Sequence, residues 1–143
     1  MTDWQVTLTD APDVQAERAI SDGLARFNDA QSGIHDQRPL AVVVRHPETR
    51  EAVGGLLGRT SLGLLFVDLF YLPDDVRGQG PGSRILRQAE DEARRRGCRA
   101  SVLYTISFQA PEFYERHGYR RFGDIPCDPP GTSRVFLTKE LAP

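Results

Sequence analysis

Arg77-Gly78-Gln79-Gly80-Pro81-Gly82-Ser83 joins a strand-like run to a helix-like run. Its three glycines stand at alternate positions, so side chains give the backbone little cover there. An anion can approach the main-chain N–H groups directly, at the positive end of the following helix dipole. Such a loop suits a ligand with a charged diphosphate. The plain alternative is a tight strand-to-helix turn with no ligand. Two common nucleotide loops fit poorly. A Walker-type loop ends in Gly-Lys-Ser/Thr, and Gly82-Ser83 comes without the lysine. A dinucleotide fingerprint wants glycine at position 83 and an acid near the end of the next strand. Position 83 is serine, and Ala100–Ile106 carries no acid.

Outward from the loop, the pattern alternates strands and helices. Upstream, Leu64–Tyr71 is apolar on both faces, as a central covered strand would be. Ala52–Gly58 and Leu40–Val44 read as its neighbours, with turns at Thr60–Gly63 and Pro47–Arg50. Further back, Ala16, Ile20, Leu24 and Phe27 line one face of a helix from about Pro12 to Ala30, with Thr9 or Asp10 as its cap. Trp4–Leu8 reads as a short first strand. Downstream, Ile85, Leu86, Ala89 and Ala93 form the buried stripe of a helix over Pro81–Arg96, stopped by Gly97. Ala100–Ile106 is a strand, Pro111–His117 a short helix, and Tyr119–Ile125 and Arg134–Lys139 two last strands. The fold this predicts is α/β: one mixed sheet of about six or seven strands with helices on both faces. The 143 residues fit one domain with one core.

Composition narrows the partners. The formal charge is −2 and the sequence pI about 5.9, which argues against a nucleic-acid surface. No apolar run is long enough to span a membrane, and Met1–Gln5 lacks the basic-then-apolar pattern of a signal peptide. Cys98 and Cys127 show no metal-ligand spacing with His35, His46 or His117. They read as free thiols in a cytoplasmic protein that needs no metal.

The arrangement Arg77-x-x-Gly80-x-Gly82 resembles the acyl-CoA loop of the GNAT N-acetyltransferase superfamily. Asp68-Leu69-Phe70-Tyr71-Leu72-Pro73 leads into it as that family's strand does. Ala110-x-x-Phe113-Tyr114-x-x-x-Gly118-Tyr119 is similar to the family's second signature. Two signatures at the expected separation are far more specific than either alone. The resemblance implies that the family's fourth and fifth strands, here 64–71 and 100–106, splay apart and admit the pantetheine arm of acetyl-CoA. Leu69, Phe70 and Tyr71 would offer it backbone partners. Gly78, Gln79, Gly80, Gly82 and Ser83 would offer N–H groups to the diphosphate, with Arg77 adding positive charge. Pro81 has no N–H, so contacts should skip it. Ser107 stands where relatives carry a pantetheine-binding Asn, and its reach is shorter.

The same resemblance makes Tyr114 the acid that protonates the departing thiolate; core packing alone would also explain it. The general base is open. The position of a relative's strand glutamate is Val67, which cannot serve. Asp68 faces the opposite side by the period-two rule unless a bulge re-aims it. His35, in the polar loop after the first helix, has the right chemistry, or is simply a solvated loop residue. Glu51 and Tyr104 are weaker candidates. The implied activity is acetyl transfer from acetyl-CoA to a primary amine, of a small molecule, by direct attack in a ternary complex. A CoA-binding module without turnover, or a protein or peptide acceptor, remain alternatives at this level, and relatives suggest a homodimer.

Overall fold

The computed structural model describes residues 1–77 and 80–142. Contacts divide the chain into two compact units, Met1–His35 and Asp36 onward, each taken by itself. In the first unit, α1 spans Val14–Ser32. Asp13 caps it, its side chain accepting from the Ala16 N–H at 2.8 Å. Thr9 instead accepts from the Ala11 N–H in the approach to the helix, so α1 starts later than the sequence predicts. Gly33, at φ 73°, closes the helix in the left-handed conformation that glycine adopts freely. Trp4–Leu8 is not a strand. A strand needs a neighbour for its N–H and C=O groups, and the ladders among the described residues all belong to the second unit.

That unit holds β1 (Arg38–Arg45), β2 (Ala52–Ser61), β3 (Leu64–Tyr71), α2 (Pro81–Arg95), β4 (Ala100–Ile106), α3 (Pro111–Arg116), β5 (Arg120–Cys127) and β6 (Thr132–Glu140). The six strands form one mixed sheet in the order β1-β2-β3-β4-β6-β5. β3 and β4 are parallel, joined by a crossover through α2, and the other neighbours are antiparallel. Leu62 and Gly63 both take positive φ, the turn that matches strand twist in a two-residue hairpin. Asp36 braces this turn by accepting from the Leu62 N–H.

Ile85, Leu86, Ala89 and Ala93 pack α2 into a core with Leu56, Leu65, Leu103 and Leu137. The helix stripe carries one residue that hydrophobic periodicity does not reveal: Glu90, only 2% exposed. It is fully engaged. Tyr119 Oη donates to its Oε2 at 2.9 Å, and Lys139 Nζ meets its Oε1 at 2.9 Å. Ser101 Oγ lies 2.8 Å from Tyr119 Oη. The tyrosine's proton goes to the carboxylate, so the serine supplies the proton between those two oxygens. Four polar groups from α2, β4, the residue before β5, and β6 are thus satisfied together under the sheet.

Candidate active site

β3 and β4 begin as partners and then part. The ladder runs through Leu64↔Ala100, Leu65↔Ser101, Phe66↔Val102 and Val67↔Leu103. Beyond it, β3 continues to Tyr71 and β4 to Ile106 without pairing to each other. A bulge marks the same place. β2 pairs Gly58 with Val67 but Leu57 with Leu69, leaving Asp68 as the extra residue. Asp68 and Leu69 are therefore both exposed, while Phe70 turns back to pack against the core. The bulge decides which backbone groups face the gap. A Cβ on Gly54 would stand 2.5 Å from the Tyr71 carbonyl oxygen, which places that carbonyl on the β2 side. Backbone direction alternates along a strand, so the N–H and C=O of Phe70 point into the gap.

A cavity of about 830 Å³ fills the gap and reaches the start of α2. Leu69, Phe70, Tyr71, Arg77, Gly80, Gly82 and Ser83 all line it, with Val67 and Asp68 at the bulge. Gly78 and Gln79 lie outside the described residues. Gly80, at φ 80°, is the N-cap of α2, and Pro81 is its first residue. Gly82 has a second reason to be glycine: a Cβ there would stand 3.3 Å from two atoms of the Phe113 ring. Arg77 is folded back over its own loop. Its Nε donates to the Leu72 carbonyl at 2.7 Å and its Nη1 pairs with Asp74 at 2.9 Å.

Ser83 is bound to α3 through a histidine. His117 Nδ1 meets the Phe113 carbonyl and its Nε2 meets Ser83 Oγ, each at 2.9 Å. A carbonyl can only accept, so Nδ1 carries the proton in neutral His117 and Ser83 donates to Nε2. His117 therefore ties the helix carrying Tyr114 to the turn at the head of α2. Beyond the residue type, no pattern along the chain points to this bridge.

Tyr114 lines the cavity, its ring among Phe70, Phe113 and Tyr119 at centroid distances of 6.3, 5.2 and 5.8 Å. Burial pushes its hydroxyl up to about 12. Among the described residues no hydrogen bond engages that hydroxyl, and desolvation alone accounts for the shift.

The remaining candidates scatter. Asp68 lines the cavity, but its carboxylate receives Arg59 Nη1 at 2.6 Å. His35 belongs to the first unit, where its Nδ1 pairs with Asp29; the cavity is lined from the second unit alone. Ser107 extends the β4–β6 ladder, its N–H donating to the Ser133 carbonyl and its Oγ accepting from the Ser133 N–H. It does not line the cavity, whereas Gln109 does. Gln109 Oε1 accepts from Thr105 Oγ1 and the Ile106 N–H, which leaves its NH₂ end to donate. Gln109 offers the same amide chemistry as asparagine, two residues beyond the place the resemblance pointed to. Tyr104 and Arg134 line the cavity as well, the guanidinium 5.6 Å above the ring. Both cysteines are free, and burial pushes the Cys98 thiol up, away from nucleophilic use. Among the described residues no group of three or more His, Cys, Asp or Glu could hold a metal ion, and no helix is long and apolar enough to cross a membrane.

A sheet that opens beside a glycine-rich helix start, with a half-buried tyrosine facing the opening, defines an acyltransferase of the GNAT type. The model of the acetyltransferase (GNAT) domain matches residues 36–121. The chain is 38% identical over 134 residues to acetyltransferase Atu2258 of Agrobacterium fabrum, covering 94% of this chain and 97% of that protein. It is 42% identical over 111 residues to the blasticidin-S acetyltransferase of Streptomyces morookaense, covering 76% of this chain and 82% of that protein. A crystal structure from Agrobacterium tumefaciens, assigned to the acetyltransferases, superposes with a TM-score of 0.87 at 36% identity, over 96% of this chain and 99% of that one. The chain belongs to the GNAT acetyltransferase family, whose members take acetyl-CoA as donor.

Proposed function

We propose that this protein moves the acetyl group of acetyl-CoA to a primary amine of a small molecule, by direct attack within a ternary complex. The parting of β3 from β4 carries the reading, because it exposes strand backbone beside an 830 Å³ cavity that also holds Tyr114. The diphosphate would sit on the N–H groups of Gly82 and Ser83 at the start of α2, skipping Pro81, with Arg77 beside it. The pantetheine arm would run along the free edge of β3 like an added strand, with the Gln109 amide in reach. The Phe70 N–H, turned into the gap by the bulge, would polarise the thioester carbonyl.

The acceptor amine attacks that carbonyl as a free base. The tetrahedral adduct collapses by breaking the C–S bond, Tyr114 gives its proton to the leaving thiolate, and the surplus proton on the new amide nitrogen returns through water to the tyrosinate. Because burial holds that hydroxyl at about 12, it is fully protonated at neutral pH and ready to donate. No strand carboxylate stands at Val67, and Asp68 is held by Arg59, so the ammonium proton leaves to solvent water. A relative named for its action on blasticidin S, a small-molecule antibiotic, supports a small-molecule acceptor. The test is release of free thiol from acetyl-CoA across a panel of small amines and peptides, beside calorimetric CoA binding. Release on small amines is expected; release on peptides alone would replace the acceptor class, and binding without release would remove the reaction.

A further inference from the structure

The cavity's far side has a charge pattern that the transfer chemistry does not use. α2 packs on one face of the sheet, where Leu103 and Val135 are buried in the core. Strand alternation puts Tyr104 and Arg134 on the opposite face. The donor's diphosphate belongs to the α2 side and its thioester end to the gap, so an acceptor approaches from the side of Tyr104 and Arg134. On that side Asp68 is bonded to Arg59 at 2.6 Å. Arg134 has no carboxylate partner among the described residues. Its guanidinium is stacked 5.6 Å above the Tyr104 ring, which steadies the fork and leaves its N–H edge free. Two guanidinium groups against one carboxylate leave this mouth positive.

We infer that the acceptor carries an anionic oxygen group, carboxylate or phosphate, beside its amine, and that Arg134 seats it. The inference rests on the acetyl-transfer reading above. An amine arrives from water as an ammonium ion, and a positive mouth repels it unless the molecule brings its own anion. Arg134 is built to hold such an anion by two parallel N–H···O bonds. With that group fixed at the start of β6, the amine end is left to reach the gap where β3 and β4 part.

The experiment pairs acceptors of one skeleton: aminocarboxylates and aminoalkyl phosphates, each against its neutral amide or alcohol. Thiol release is measured with wild type, Arg134→Gln and Arg134→Lys, and CoA affinity is measured by calorimetry on each. In wild type the anionic member of a pair should exceed its neutral twin in kcat/KM by about 10-fold or more. In Arg134→Gln that ratio should fall to within about threefold, in Arg134→Lys it should lie between, and CoA affinity should not move. Equal use of both twins by wild type, or a preference that survives Arg134→Gln, overturns the inference and leaves acetyl transfer standing. Thiol release on no amine sinks the acetyl-transfer reading and takes the inference with it.

Discussion

Tyr114 and Tyr119 stand 5.8 Å apart, ring edge to ring face, in opposite settings. Burial raises both hydroxyls, Tyr119 well above the usual phenol range and Tyr114 to about 12. Tyr119 is only 3% exposed and its oxygen is enclosed by Glu90 and Ser101. Tyr114 meets no partner among the described residues and faces the cavity. Burial by itself therefore does not mark a reactive group. A hydroxyl whose hydrogen bonds are complete is part of the scaffold; one left waiting beside a cavity is available to a substrate.

The sharpest way to break this contrast is Lys139→Met. Glu90, at 2% exposure, would lose its cation. An uncompensated buried charge costs about 3–5 kcal/mol, read as a lower urea midpoint. A loss under about 1 kcal/mol would mean that Glu90 finds water or another cation, and the scaffold side of the contrast would fail. Next in size is Tyr114→Phe. Losing a general acid lowers turnover by about 10² or more. Removing a hydroxyl without a protein partner should leave the unfolding midpoint and CoA affinity nearly unchanged. Wild-type turnover in this variant would reduce Tyr114 to a packing residue like its neighbour.

Tyr119→Phe should give the mirror image. The network loses one oxygen, and Glu90 and Ser101 each lose a partner, for about 1–3 kcal/mol. Turnover at a temperature where the variant stays folded should match wild type. A variant that is slowed but fully stable would show that the two rings act together, and that the division between scaffold and site is drawn in the wrong place.

What could be read from the sequence follows the range of each interaction. The span Leu64–Tyr71, the start of α2 at Pro81 and the strand Ala100–Ile106 were legible because local period and Pro/Gly punctuation decide them. Trp4–Leu8 looked like a strand because a short apolar run says nothing about whether a neighbour exists to pair with it. Glu90 was illegible because its partners Tyr119 and Lys139 are remote in sequence and meet it only through the fold. The bulge at Asp68 is a property of two strands in register, so one strand's alternation could at most raise it as an option. Gln109 and His117 reach the cavity and its rim through loop and helix-end geometry that no periodicity encodes.

The smallest expected effect is a missing one. An ordinary phenol would lose its proton with a midpoint near pH 10, and an enzyme relying on it as an acid would slow over that range. With Tyr114 held at about 12, kcat at saturating donor and acceptor should show no falling limb up to about pH 10.5. The sign for stability is consistent. A hydroxyl whose folded value lies above its unfolded value contributes fully below pH of about 10, and that contribution is lost as pH rises toward about 12. Profiles of kcat for wild type and Tyr114→Phe, measured side by side, separate the cases. A limb near pH 10 in wild type that is absent from the variant would place the Tyr114 proton in contact with water and remove the burial that sets it apart from a surface tyrosine.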